Sequence, residues 1–218
     1  EQGIGDEVLF ASCLADLIGR FERIVCVCHT KLQRLFARSY PEIEFRSRDY
    51  AFSPSEIASF AWQVPIGSLP PIFRPSVASF PAAPHLLLPD PARVAEFRQR
   101  LEPLRQVLTI GIGWRSGLLS LNRKALYPYL EYWQALFAIP GVTWVNLQYG
   151  DVAEELRQAQ AAFGVPVVNF TDVDHFDDLD TSAALMGACD LVIGPDTSTT
   201  QLAAAVGTPT LRIHSGCD

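Results

Sequence analysis

A run of polar residues lies near the end of the sequence, directly after an apolar stretch: Asp196, Thr197, Ser198 and Thr199. A strand is predicted before this run and a helix of small residues after it. Backbone N–H groups in the first turn of a helix lack partners within the helix, so the arrangement favours a bound anion such as a diphosphate. Ser and Thr also cap ordinary helices, which stabilises them by about 1 kcal/mol. The local residues support anion binding and plain capping equally.

A second polar loop follows a predicted strand over 107–114. Glycines near the end of that strand let a ligand approach the backbone, and Arg115, Arg123 and Lys124 can supply the cations that a diphosphate needs. The spacing of a P-loop is absent. A solvated basic loop would explain the same residues, and the local sequence favours that interpretation.

The start of the sequence places Asp6 after Gly3-Ile4-Gly5, which predicts a tight turn before a helix. An acid at a helix N-terminus stabilises the helix dipole by about 0.3 to 1 kcal/mol. A carboxylate beside a glycine turn can also act as a general base on a substrate hydroxyl. The local residues favour the dipole role.

Other residues that could bind a metal have no ligand spacing. The five cysteines are predicted to be reduced, with the first four buried: Cys13, Cys26, Cys28, Cys189 and Cys217. Two acidic pairs, Asp172 with Asp174 and Asp178 with Asp180, could hold a metal-bound nucleotide sugar, although such triplets are common by chance. Asp180 is instead predicted to cap a helix. We therefore predict no metal site.

Apolar periodicity in the first half of the chain predicts alternating helices and strands, which is typical of an α/β protein with parallel sheets. Helices are predicted over 7–18 and 31–38, and strands over 23–28 and 43–46. Residues 53–89 are rich in proline and cannot form one regular element.

The second half alternates more regularly. Helices are predicted over 93–104, 129–137, 152–163, 182–188 and 200–206. Strands are predicted over 107–114, 142–148, 165–170, 191–194 and 209–213. The sequence therefore predicts two α/β domains, 1–89 and 90–218.

Composition limits the possible classes of protein. Of 218 residues, 49% are hydrophobic and 19% charged, which excludes a disordered or fibrous chain. The net charge of −7 and the lack of a basic run argue against a nucleic-acid partner. No apolar stretch approaches the roughly 20 residues of a membrane span, and the acidic first twenty residues do not form a signal peptide. We therefore expect a soluble, cytoplasmic protein.

Five segments carry a resemblance to a known family. They are residues 1–7 (EQGIGDE), 62–70 (WQVPIGSLP), 111–117 (GIGWRSG), 145–150 (VNLQYG) and 190–197 (DLVIGPDT). In this order they resemble the glycosyltransferase domain that follows tetratricopeptide repeats in bacterial proteins. That domain is similar to the heptosyltransferases of lipopolysaccharide synthesis, in family nine of the glycosyltransferases.

The resemblance implies a GT-B fold, in which two Rossmann-like domains face each other across a cleft. Residues 1–89 would bind the acceptor and residues 90–218 the nucleotide sugar. The implied reaction is an inverting transfer, without metal or cofactor, from a nucleoside-diphosphate sugar to a hydroxyl of a glycan, lipid or protein. Asp6 matches the family's Gly-Asp carboxylate, which implies that it is the general base.

The resemblance also implies donor-binding residues in the second domain. Arg115 and Lys124 match the cations that bind the donor phosphates, and Gln148 lies in a loop that often faces the nucleotide. Residues 196–199 match the segment that holds the diphosphate and sugar. One position departs from the pattern: Gln201 stands where a His precedes Leu-Ala. Gln can donate a hydrogen bond but cannot carry positive charge.

Two alternative functions remain open. A non-catalytic module that binds a nucleotide sugar or a partner, carried by tetratricopeptide repeats, is favoured by Gln201. A nucleotide-sugar epimerase would have the same architecture but need no acceptor. The sequence starts without Met and ends after an apolar run, so we expect that both ends have been cut from a longer protein.

Overall fold

The computed structural model describes residues 3–82, 87–116 and 127–214. The chain forms two compact units, Glu1–Leu88 and Pro89–Asp218. The strands described in each unit form a parallel sheet, with two strands in the first unit and five in the second. The predicted α/β class with parallel sheets is confirmed.

The first unit is built around a βαβ connection. Its elements are α1 (Ile4–Ala11), β1 (Val25–Cys28), α2 (Gln33–Ser39), β2 (Glu44–Ser47), α3 (Pro54–Ser59) and α4 (Leu69–Phe73). The helix α2 crosses between the two parallel strands. The proline-rich stretch forms short helices separated by loops; Ser53 caps α3 by accepting the N–H of Glu56 at 3.2 Å.

The helix α1 begins earlier than predicted. Gly3 is its N-cap residue with extended backbone (φ −160°), so the tight turn predicted over residues 3–5 is wrong. The Glu7 N–H donates to the Gly3 carbonyl at 3.3 Å and closes the first helical turn. Asp6 therefore lies within the first turn of α1. The helix also ends before residue 18, because a separate 3-10 turn, Leu14–Leu17, follows it.

Alternation of side chains along β1 buries both of its thiols. Cys26 and Cys28 lie on the buried face, as predicted, while Val27 between them is exposed. Burial raises the pKa of Cys28 to about 12, which keeps the thiol protonated. The four cysteines in the described part of the chain are all free thiols and buried.

The second unit contains most of the regular structure. Its elements are α5 (Pro91–Leu101), β3 (Leu108–Ile112), α6 (Gln134–Phe137), β4 (Val142–Asn146), α7 (Ala153–Phe163), β5 (Val167–Val168), α8 (Leu179–Met186), β6 (Leu191–Pro195), α9 (Ser198–Ala205) and β7 (Thr210–Ile213). Asp90 caps α5 through the N–H groups of Ala92 and Arg93, and Pro91 lies in the first turn.

The five strands lie in the order β5-β4-β3-β6-β7, so the chain winds outward from β3 in both directions. The side chains of Ile110 and Ile112 face one side of the sheet, where they pack in a core with Trp133, Phe137 and Trp144. The helices α5, α8 and α9 form a second set of packed neighbours. This is the doubly wound arrangement of nucleotide-binding folds.

Two predictions in this unit need correction. The helix expected from residue 182 begins at Leu179, and its cap is Asp178, whose carboxylate accepts the Thr181 N–H at 3.1 Å. Asp180, predicted to be the cap, is buried in the first turn. The helix expected over 129–137 is divided into a 3-10 turn and the short α6. No helix of the described residues is both long and apolar enough to cross a membrane.

Candidate functional site

The carboxyl ends of β3 and β6 are the place where the winding of the five-stranded sheet reverses. Ligands of doubly wound sheets bind in the crevice at such a point. Two glycines let the backbones pack closely there: the Gly113 N–H donates to the Ile193 carbonyl at 3.1 Å. A Cβ atom at Gly194 would lie only 2.7 Å from the Gly113 carbonyl oxygen. The loops after β3 and β6 therefore meet at this crevice.

The loop after β6 leads directly into α9. The helix begins at Ser198, two residues earlier than predicted, with Thr197 as its N-cap residue. Thr197 and Thr200 form a capping box, and the Thr200 hydroxyl also donates to the Pro195 carbonyl at 2.8 Å. Thr200 is fully buried, whereas Ser198 is half-exposed. The hydroxyl run thus has two roles: part of it builds the cap, and part lies at the exposed start of the helix.

A small polar cluster lies beside the start of α9. Asp196 is exposed, and its Oδ1 lies 2.7 Å from an Arg212 guanidinium nitrogen. The Gln201 amide donates to the same carboxylate oxygen at 3.3 Å. The other amide atom of Gln201, Oε1, is buried and has no hydrogen-bond partner among the described residues. Asp196 is therefore shared between a cation and a neutral amide.

The loop after β3 is held by Gln148, which follows β4. Its Oε1 accepts the backbone N–H groups of Trp114 at 3.0 Å and Arg115 at 2.9 Å. Gln148 is only 2% exposed, and its own N–H donates to Asn146 Oδ1 at 2.9 Å. The structure thus places Gln148 in the support of the loop, with its amide oxygen already occupied.

Glu155, in the first turn of α7, binds the side chains of the same two residues. Trp114 Nε1 donates to Glu155 Oε1 at 3.1 Å, and the Arg115 guanidinium donates to both carboxylate oxygens. The Arg115 guanidinium also donates to the Asp151 carbonyl at 3.1 Å. The hydrogen bonds that the guanidinium donates to Glu155 raise the pKa of Arg115 above its usual value. The charge of Arg115 is therefore balanced within the protein.

A buried polar network lies behind this loop. The Asn146 amide donates to Asn169 Oδ1 at 2.9 Å, which joins the ends of β4 and β5. His175, in the following loop, forms a 3.0 Å hydrogen bond with the Ser182 hydroxyl. Burial lowers the pKa of His175 to about 4, against a weaker opposing effect of Asp174. This imidazole is therefore neutral near pH 7.

Two aromatic rings pair at the same edge of the sheet. Tyr149 and Phe176 have ring centroids 5.9 Å apart, and Phe176 is 57% exposed. The Gln148 side-chain amide donates to the Tyr149 carbonyl at 3.2 Å. Asp174 accepts the Phe176 N–H at 2.8 Å, which fixes the turn that carries the second ring. The pair forms a supported, partly exposed apolar surface.

In the first unit, Asp6 is half-buried in the first turn of α1. The neighbouring Glu7 is more deeply buried, at 3% exposed. Its Oε2 accepts the His29 N–H at 2.7 Å, and its Oε1 pairs with Arg48. Glu7 therefore ties the start of α1 to the ends of β1 and β2, beside the carboxylate predicted to be the base.

The remaining predicted residues either lie outside the described part of the chain or form local structural contacts. Arg123 and Lys124 lie outside the described residues. The acidic pairs serve local structure: Asp172 binds the Arg100 guanidinium at 2.7 Å, and Asp178 caps α8. No group of three or more His, Cys, Asp or Glu side chains within residues 3–82, 87–116 and 127–214 could hold a metal ion.

Sequence reasoning missed Glu155 and Arg212. Glu155 has an ordinary signal, an acid in the first turn of a helix, which gives no hint of its partners. Arg212 takes a regular polar position in the alternating residues of the last strand, Thr210–Ile213, and this ordinary pattern gives no hint of its partner. Arg212 comes close to Asp196 only once β7 has paired with β6 in the sheet.

The second unit has the doubly wound sheet and the switch point of a Rossmann-like fold, and a solved structure agrees. The E. coli heptosyltransferase WaaC with ADP-2-deoxy-2-fluoro heptose matches with a TM-score of 0.57 and 13% identity, covering 100% of this chain and 87% of that one. The E. coli ADP-heptose lps heptosyltransferase II has a TM-score of 0.49, 14% identity and coverage of 96% and 66%. The chain has a Rossmann-like, GT-B type of fold, like that of WaaC.

Among curated proteins, the chain is similar to Protein FlbA of Caulobacter vibrioides (strain ATCC 19089 / CIP 103742 / CB 15). The identity is 36% over 222 residues, which cover 96% of this chain and 37% of that protein. The chain therefore spans about 37% of the length of this relative. No protein-family model matches the chain.

Proposed function

We propose that this chain is the glycosyltransferase part of a longer protein and moves a sugar from a nucleoside-diphosphate sugar to a hydroxyl acceptor. The observation that carries the proposal is the switch point at the ends of β3 and β6, where only Asp196 and Thr197 separate the end of β6 from the start of α9. The backbone N–H groups in the first turn of α9 and the dipole of this helix suit a diphosphate leaving group. The GT-B type of fold supports this, because WaaC was solved with such a donor analogue.

The second unit would bind the donor. Residues 196–199 and Gln201 surround the start of α9 and would contact the diphosphate and sugar. The paired rings of Tyr149 and Phe176 would offer a stacking surface for the base, since aromatic pairs accept any flat ring. Gln148 and Arg115 would hold the loop in place, and Lys124 stays a predicted phosphate ligand.

The first unit would bind the acceptor. Asp6 would take the proton from the acceptor hydroxyl while the diphosphate leaves, which gives an inverting transfer. The leaving group would be stabilised by the helix and by side-chain cations, so the reaction would need no metal or cofactor. The full-length protein would carry a tetratricopeptide segment and would lie in the cytoplasm.

A non-catalytic module that binds a nucleotide sugar is the second candidate. It is favoured by the pairing of the Arg115 guanidinium with Glu155 and the Asp151 carbonyl, and by the neutral Gln201. Both features reduce the positive charge available to a leaving diphosphate.

A thermal-shift panel of UDP, GDP, ADP, CMP and their sugars, with and without magnesium or manganese, tests the proposal. Ligand at a hundred times its dissociation constant adds about 2.7 kcal/mol, a rise of about 5 to 10 °C for a chain of this size. We expect one nucleotide to stabilise the protein without metal. Release of that nucleotide from its sugar donor, lost in Asp6→Asn, would identify the enzyme. Binding without turnover in the full-length protein would favour the non-catalytic module.

A further inference from the structure

We propose that Arg212, and not Arg115, is the described arginine that brings positive charge to the anion at the start of α9. This inference rests on the proposed function and names a donor-binding residue that the sequence patterns do not mark. It depends on a comparison of the two guanidinium groups near the crevice.

The Arg115 guanidinium is already occupied. Its side chain is only 10% exposed, and two of its nitrogens donate to Glu155 at 2.7 to 3.1 Å. One of these nitrogens also reaches the Asp151 carbonyl. The Glu155 carboxylate thus already balances the Arg115 charge through a bidentate, partly buried ion pair, and drawing the guanidinium away to a phosphate would break that pair. Arg115 is therefore suited to holding the loop.

The Arg212 guanidinium is in a different state. Its side chain is 39% exposed, and one of its nitrogens lies 2.7 Å from Asp196 Oδ1. Exposed pairs of this kind contribute little to stability, so a ligand can share or replace the carboxylate at small cost. Arg212 lies opposite Gly194 in the register of β6 and β7. The pair with Asp196 brings its guanidinium next to the residues that lead into α9.

The position of Arg212 matters because it changes the net charge of the polar cluster at the start of α9. Asp196 carries a negative charge one residue before the N-cap of α9, where it opposes an incoming phosphate. Gln201 also binds Asp196 but is neutral. With Arg212 the cluster has no net charge, and without Arg212 its charge is −1. The buried, unpartnered Oε1 of Gln201 cannot compensate, because it is itself an acceptor.

The test compares nucleotide affinities of matched variants, measured calorimetrically with UDP, GDP, ADP and CMP. We expect Arg212→Gln to weaken binding of the nucleotide that stabilises the wild type by about tenfold, and Arg212→Lys by much less. Salt should weaken binding less in Arg212→Gln than in the wild type. Arg105→Gln is the control, because Arg105 forms an exposed pair with Asp190 at the other end of β6, at 3.2 Å.

A charge-restoring variant separates this role from a merely structural one. In the Arg212→Gln background, Gln201→His should recover affinity at pH 5.5 but not at pH 8, since His gains its charge in this range. Equal affinities of the wild type and Arg212→Gln would overturn the assignment while leaving the proposed function intact. The assignment would also be overturned if nucleotide affinity fell in Arg115→Gln and not in Arg212→Gln, with both variants shown to be folded. If the wild type binds no nucleotide, both proposals fail.

Discussion

The loops after β3 and β6 meet at one crevice, yet they use their polar residues in opposite ways. In the β3 loop, Gln148 accepts two backbone N–H groups and Glu155 accepts from three side-chain nitrogens, all of Trp114 and Arg115. In the β6 loop, the exposed Asp196 accepts a 3.3 Å hydrogen bond from Gln201 and pairs with Arg212, whose side chain is 39% exposed. One loop is fixed by its polar groups, while the other presents them to solvent.

This difference teaches that residue type alone does not separate a ligand-binding arginine from a structural one. The separation depends on how many acceptors the protein itself supplies and how far the side chain is buried. Arg115 and Arg212 have the same chemistry, but their side chains are 10% and 39% exposed. Perturbing the two loops should therefore change the free energy of unfolding by different amounts.

The largest expected effect concerns the fixed loop. Glu155→Ala removes the acceptor of both Trp114 Nε1 and the Arg115 guanidinium, and leaves a partly buried cation without its partner. We expect the free energy of unfolding to fall by about 3 kcal/mol, measured by urea denaturation. The neighbouring Glu154→Ala is the control, because its pair with Arg157 is fully exposed and should give no measurable change. Equal effects of the two variants would contradict the structural role of this loop.

A smaller effect concerns the polar network behind the same loop. The pKa of His175 is lowered to about 4 in the folded protein, against an ordinary value of 6.5 in the unfolded chain. Below pH 6.5 the unfolded chain therefore binds a proton at this imidazole more readily than the folded protein does. The stability that the neutral His175 imidazole contributes is therefore present above pH 6.5 and is lost as the pH falls toward 4. Between pH 7.5 and pH 5 we expect a loss of about 2 kcal/mol from this group. The pH dependence of urea unfolding should be weaker by that amount in His175→Gln; an unchanged dependence would show that the imidazole charges without penalty.

The smallest effect concerns the loop that presents its polar groups. Thr200→Val keeps the shape of a fully buried side chain but removes the hydroxyl that donates to Pro195 and completes the capping box with Thr197. We expect a loss of about 1 kcal/mol in unfolding free energy. Ser198→Ala, at a half-exposed position, should leave stability nearly unchanged and serves as the control. A larger cost at Ser198 would reverse the assignment of capping within the hydroxyl run.

Much of the fold could be predicted from the sequence. Strong apolar periodicity gave the strands and helices of the second unit, and Pro91 after Asp90 marked the start of α5. The predictions failed where the signal was local capping: α1, α8 and α9 each begin two or three residues earlier than expected. In α8 the cap is Asp178, whose carboxylate accepts the Thr181 N–H, and not the predicted Asp180.

The sequence by itself determined which segments end at the crevice, because polar loops after apolar strands are visible without coordinates. Asp196 and the hydroxyl run could be selected in this way. Only the tertiary structure decided that Glu155 pairs with Arg115, that Gln148 supports the loop and that Arg212 lies beside Asp196. The physical reason is that hydrogen bonds and ion pairs depend on distances of about 3 Å between atoms, and residues far apart in sequence reach such distances only when the parallel strands are aligned.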